Sequence, residues 1–132
     1  MKNKKYIAAA VIEIDGKILI AQRGRKDDPF YGLWEFPGGK VEGDETLQEC
    51  LRRELFEELD IYVQVGEYFC TSRFFHKDST YDMCVFKVYS YEREIKLQEH
   101  LAIAWVTPEQ LSDYAYPAPD LPIIELLQKT II

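Results

Sequence analysis

Glu54, Glu57 and Glu58 crowd into five positions, with Arg53 directly before them. Carboxylates at this density suit a hard divalent cation or acid–base chemistry. A helix turning about 100° per residue, with Leu47, Leu51, Leu55 and Leu59 on one stripe, puts Glu58 among the leucines and Glu54 at their edge. Glu57 falls about 60° beyond Glu54 on the same side. An amphipathic surface helix turns its acids away from its apolar stripe, so this pattern is the kind of conflict found at functional sites. Three anions on a core's rim repel one another unless a cation or hydrogen-bond donors offset them. Hard oxygen ligands favour Mg²⁺ or Mn²⁺ over Zn²⁺. The competing reading is a solvated acidic helix end with Arg53 and Glu57 as an ordinary i, i+4 pair.

The elements that must position these acids can be read around them. Asp44 or Thr46 is the expected N-cap of the helix, which gives Glu45 an ordinary role as a first-turn acid complementing the dipole. Gly38-Gly39 stops the extended piece Leu33–Phe36, and with Lys40 beside it just before a helix start it suits a phosphate. Tyr6–Ile14 and Lys17–Gln22 read as antiparallel strands joined by Asp15-Gly16. Asp27–Gly32 is an irregular loop. Ile61–Phe75 and Tyr81–Tyr91 are expected to form a second hairpin around Lys77–Thr80. Leu101–Val106 is a further strand, Thr107-Pro108-Glu109-Gln110 has the form of a capping box, and Leu121–Leu127 closes the chain as a helix packed on the sheet.

Some residues outside the acidic helix can meet a ligand. Arg23 ends the second strand where a cation reaches an anionic group, whereas Arg25 and Lys26 read as solvated. Phe74, Phe75 and Tyr81 can stack on a base, although strand aromatics are usually core. His76 reads as polar surface, Glu99 as an exposed loop acid, and Asp120 as an N-cap whose carboxylate can also reach a base edge.

The composition bounds the rest. The chain has 132 residues, 47% hydrophobic and 14% aromatic, enough for one compact domain over residues 1–132. A net charge of −7 argues against binding a nucleic-acid polymer or an anionic membrane. Cys50, Cys70 and Cys84 form no C-x-x-C pair and read as reduced and buried. The basic start, Met1–Lys5, is followed by an apolar stretch broken by Glu13 and Asp15, so no signal peptide or spanning helix is expected and the location inferred is cytoplasmic.

With U for a bulky aliphatic residue, the Nudix box reads G-x5-E-x7-R-E-U-x-E-E-x-G-U. The chain supplies Gly39, Glu45, Arg53, Glu54, Leu55, Glu57, Glu58 and Ile61 in register, with Asp60 where the box has glycine. It thus resembles the Nudix hydrolase superfamily, and within it the MutT-type nucleoside triphosphate pyrophosphohydrolases, most of all their bacterial CTP pyrophosphohydrolase branch. Leu33–Lys40 and Tyr116–Pro122 carry that finer likeness. The resemblance implies an α/β/α sandwich, a mixed curved sheet between helices. It also implies that Glu54, Glu57 and Glu58, the Gly39 carbonyl and Glu99 bind Mg²⁺, with Mn²⁺ as the substitute, and that Arg53 orients the glutamates. Arg23 would contact the nucleotide and Asp120 would recognise the base. Asp tolerates the left-handed turn that the missing glycine makes, so the site is expected to survive that departure.

The implied reaction is hydrolysis of a nucleoside triphosphate to monophosphate and pyrophosphate, with Glu54 or Glu57 as general base and Glu45 and Lys40 as lesser participants. CTP, dCTP or oxidised and modified pyrimidine nucleotides are the substrates favoured by overall likeness, in a role of nucleotide-pool sanitation. The alternatives are 8-oxo-dGTP, then ADP-ribose or dinucleoside polyphosphates, and, outside catalysis, an inactive nucleotide sensor. Either a monomer or a homodimer is compatible with the sequence.

Overall fold

The computed structural model describes residues 3–129; Met1 and Lys2 of the basic start lie outside the described residues. Asp15 and Gly16, at φ 54° and 76°, turn β1 (Asn3–Ile14) into β2 (Lys17–Gln22), as a hairpin with two left-handed residues requires. The two strands pair only at Glu13–Ile18 and Ile14–Lys17. Beyond that they part, and the segment from Trp34 to Lys40 enters the gap. Its first piece, β3 (Trp34–Glu35), pairs with Ala21 and Gln22, and its second, β4 (Gly38–Lys40), pairs with Ile7, Ala8 and Ala9. The double glycine expected to stop an extended piece is therefore itself a strand. A Cβ on Gly38 would lie 2.1 Å from the Ala8 carbonyl oxygen, so the absence of a side chain is what lets the two backbones meet.

β1 also runs parallel to β7 (Ser79–Val88), and β7 is antiparallel to β6 (Tyr68–His76). With β9 (Ala102–Val106) on β2, the strands form a mixed seven-stranded sheet. Both faces of β1 are buried, which explains its nearly continuous apolar run. Ala8, Ala10 and Ile12 meet Leu51, Leu55 and Leu59 of α1 (Leu47–Leu59). Ala9 and Val11 meet Ile123, Ile124 and Leu127 of α2 (Leu121–Lys129) on the other face. The expected layering, a mixed sheet between helices, is what the chain adopts.

The ends of α1 are set by local chemistry. Thr46, not Asp44, is the cap: its hydroxyl accepts from the Glu49 N–H at 3.1 Å, and the Glu49 carboxylate accepts from the Thr46 N–H at 2.8 Å. Asp60 ends the helix at φ 61°, in the left-handed conformation expected where the Nudix box has glycine, and Arg93 donates to its carboxylate at 3.0 Å.

Several expected boundaries move. Ile61–Phe75 is not one strand: β5 (Tyr62–Val63) pairs with β8 (Tyr91–Glu92), and β6 begins only at Tyr68. Between them the Gly66 N–H bonds to the Lys87 carbonyl at 2.8 Å, and a Cβ there would sit 2.6 Å from that oxygen. The second hairpin turns at Lys77-Asp78, with Lys77 at φ 53°, so β7 starts before Tyr81 and ends before Tyr91. The capping-box bonds between Thr107 and Gln110 form in both directions, at 2.9 and 3.3 Å, but they open a 3-10 turn, Glu109–Asp113, and no α-helix. Asp120 does not cap α2. It ends a second 3-10 turn, Ala118–Asp120, in which the Asp120 and Leu121 N–H groups bond to the Pro117 and Ala118 carbonyls.

Gly38→Ala should cost about 3 kcal/mol or more of stability by forcing β4 off β1. Thermal unfolding checks this; an unchanged midpoint would mean the backbones are not in this contact.

Candidate active site

The parting of β1 and β2 leaves a cleft of about 810 Å³ over β4, within the range of roughly 300–1,000 Å³ usual for small-molecule pockets. Arg23, Glu35, Gly39, Lys40, Glu54, Glu58, Phe74, Glu99, His100 and Asp120 all line it. Six expected site residues outside α1 thus converge with two acids of that helix. Glu45, Arg53 and Glu57 do not line the cleft.

The acids are held by two donors and one missing side chain. Arg53 Nε and Nη2 meet the Glu45 carboxylate at 2.5 and 3.0 Å, and Nη1 donates to Glu54 at 3.1 Å and Glu57 at 3.0 Å. Nη2 also reaches the Lys40 carbonyl at 3.1 Å, which ties α1 to β4. The Arg53 hydrogen bonds, then the Glu42 N–H, hold the Glu45 carboxyl down to about 2, so Glu45 serves as an anchor for Arg53. A Cβ on Gly39 would lie 2.3–2.6 Å from the Glu54 carboxyl, which therefore lies directly across the glycine backbone. The Gly39 carbonyl accepts from the Cys50 thiol at 3.5 Å, and burial pushes that thiol up to about 11.

Among the described residues Glu58 accepts only the Gly38 N–H, at 3.3 Å. Burial first, then Glu35 and Glu54 nearby, push it up to about 9. Burial likewise raises Glu54 despite Arg53. Desolvated carboxylates with so few donors, beside a backbone carbonyl, fit a hard divalent cation, and they would otherwise retain a proton. Glu57 differs: its side chain is 56% exposed and its partner is Arg53.

On the opposite wall Arg23 is fixed from two sides. Nη1 bonds Glu35 Oε1 at 2.5 Å and Nε bonds Asp28 Oδ2 at 2.7 Å. Arg25 is exposed and paired with Asp27 at 3.6 Å, as a solvated residue would be. Phe74 stacks on Tyr81 at 5.1 Å, and Lys40 lies over the same Tyr81 ring at 5.4 Å. Phe75 and His76 are exposed at the rim. Asp120 is 5% exposed, and among the described residues no donor reaches its carboxyl. Burial first, and then Glu35, push that carboxyl up to about 8.

Two cleft residues escape the sequence reading. Glu35 and His100 join Glu58 in a group whose ligand-type atoms lie within 4.8 Å of one another. Alternation in Trp34-Glu35-Phe36 places Glu35 opposite two aromatics, a signal usually read as solvent. His100 carries no sequence signal beyond its neighbour Glu99.

The chain matches the NUDIX domain family over residues 3–127 and belongs to the Nudix family. It is therefore a hydrolase acting on acid anhydrides, a pyrophosphohydrolase, in a family that typically uses a divalent metal. CTP pyrophosphohydrolase from Escherichia coli is 40% identical over 90% of this chain and 87% of that protein. An 8-oxo-dGTP diphosphatase from Buchnera aphidicola is 33% identical over 99% of this chain and 98% of its own length. Among solved structures, the E. coli ORF135 protein superposes with a TM-score of 0.86 at 38% identity, covering 94% of this chain and 88% of that one. The MutT protein of Methanosarcina mazei gives the same TM-score at 28% identity, covering 97% and 95%. Among the described residues no helix is long and apolar enough to cross a membrane.

Because Glu58 titrates far above the 4.5 of a free carboxyl, the folded metal-free protein holds a proton that the unfolded chain has released. Stability without metal should therefore fall as pH rises from about 5 towards 9, and a cation displacing the proton should remove that slope. Thermal melts at about pH 6 and about pH 9 should show Mg²⁺ raising the midpoint more at the higher pH. Equal shifts at both would show that Glu58 is not the group exchanged.

Proposed function

We propose that this pyrophosphohydrolase cleaves a nucleoside triphosphate to the monophosphate and pyrophosphate, with cytosine nucleotides or their modified pyrimidine analogues as its preferred substrates. Glu54, Glu57, Glu58, Glu99 and the Gly39 carbonyl would hold Mg²⁺, or Mn²⁺ in its place. When bound, the cation neutralises charge on the phosphoryl oxygens and makes the attacking water more acidic. Glu54 or Glu57 takes the proton of that water, and Arg53 keeps both carboxylates in place. Lys40 and Arg23 face the nucleotide's anionic groups, and Phe74 stacks beside the base. Glu54→Gln and Glu57→Gln should each retain the fold by circular dichroism and lower turnover at least about 100-fold. A near-normal rate for either would remove that residue from the role.

The observation that carries the choice of base is the Asp120 carboxyl, buried in the cleft wall and, among the described residues, free of donors. With its pKa pushed up to about 8, it is a carboxylic acid at neutral pH. Its O–H can donate to cytosine N3 while its carbonyl accepts from the exocyclic amine. Guanine offers two donors on the corresponding edge and so suits the ionised form, which keeps 8-oxo-dGTP as the second reading. The likeness to CTP pyrophosphohydrolase points to the same order.

The ratio of kcat/KM for CTP over 8-oxo-dGTP should accordingly fall between about pH 6.5 and about pH 8.5, as Asp120 loses its proton. Asp120→Asn keeps one donor and one acceptor at every pH, so its ratio should stay flat. Parallel assays of pyrophosphate release from CTP, dCTP, 5-hydroxy-dCTP, dGTP and 8-oxo-dGTP check both statements. A guanine preference at neutral pH would reverse the assignment.

A further inference from the structure

His100 is almost fully enclosed, its side chain 4% exposed, between the exposed Glu99 and Leu101. Its Nε2 lies 2.9 Å from Glu35 Oε2, while Glu35 spends its second oxygen, Oε1, on Arg23. The three side chains therefore form one line, histidine to carboxylate to guanidinium, running from the loop before β9 to the nucleotide-facing wall. We propose that His100 is a positioning residue for Arg23: its ring fixes the Glu35 carboxylate, and that carboxylate fixes the guanidinium.

The backbone is arranged to deliver the ring to this place. The Leu101 N–H bonds to the Gln22 carbonyl at 2.9 Å, which extends the pairing of β2 with β9 by one residue. Gly24 then passes so close that a Cβ would sit 2.1 Å from the Glu99 carbonyl oxygen, 3.0 Å from Leu101 N and 3.2 Å from the His100 carbonyl carbon. No side chain fits there. Glu99 and His100 are thereby pressed against the end of β2, and both of them line the cleft with Arg23. One dipeptide thus serves two ends of the site, with Glu99 in the acidic group and His100 behind the cation on the other wall.

A carboxylate left with one partner can rotate, and a guanidinium held by Asp28 alone keeps its Nε and Nη2 bonds but loses the fixed partner of Nη1. Orientation of a planar donor fork is what recognition of an anionic group requires. The loss should consequently appear in nucleotide binding more than in the chemical step. This inference rests on the nucleotide reading above for its kinetic part only.

The test uses His100→Leu, which fills the enclosed space without a donor, and His100→Gln, whose amide nitrogen reaches the place of Nε2. His100→Leu should raise KM about tenfold while changing kcat less than about threefold, and His100→Gln should recover most of the loss. Adding His100→Leu to Arg23→Ala should change KM no further, because the residue it positions has gone. In parallel, ¹⁵N NMR of the nucleotide-free protein should show faster rotation of the Arg23 guanidinium in His100→Leu and near wild-type rotation in His100→Gln. Unchanged guanidinium rotation in His100→Leu overturns the proposal, whatever the enzyme hydrolyses. So do a kcat loss with intact KM, and full additivity with Arg23→Ala. Wild-type protein inactive on the whole nucleotide panel would overturn the function reading instead, and the NMR comparison would still decide the role of His100.

Discussion

A single guanidinium allows this much negative charge to stand in one place. Arg53 donates to Glu45, Glu54 and Glu57 and to the Lys40 carbonyl, so it screens the acids of α1 while fastening that helix to the strand facing it. Its own charge is made more permanent by those partners, the Glu45 hydrogen bonds first among them. A lysine would offer one point charge where this geometry uses a planar fork. What Arg53 does not reach is Glu58, and that is the acid left most strongly protonated.

The cleft exists because a hairpin fails to stay paired. Two residue pairs below the turn, β1 and β2 separate and admit β3 and β4, which bring Glu35 and the two glycines beneath α1. The requirement falls on backbone, not side chains: Gly38 meets the Ala8 carbonyl, and Gly24 meets the Glu99 carbonyl. Buried on both faces, β1 is the fixed reference against which these approaches are made.

Much of this was legible in the sequence because it depends on short spacing. The leucine stripe of α1, its capping residues, the Asp15-Gly16 turn and the left-handed Asp60 are local choices, and all of them stand. The placement of Glu58 against the core followed from helical period alone. What was not legible depends on partners distant in the chain. Nothing within the 61–75 stretch announces that Val63 pairs with Tyr91 while Phe75 pairs with Thr80, because both pieces have strand composition. Glu35 and His100 are 65 positions apart and meet because both β3 and β9 pair with β2 and Gly24 lets the loop before β9 close in. Asp120 reads as a cap because the sequence does not show that a 3-10 turn runs directly into the helix and takes up the Leu121 N–H.

The thiol of Cys50 supports the carbonyl of Gly39 from inside the core. Since the thiolate is the form that peroxides and alkylating reagents attack, a side chain kept protonated and covered is nearly inert towards them. The Gly39 carbonyl therefore rests on a thiol that its place within α1 keeps covered and protonated.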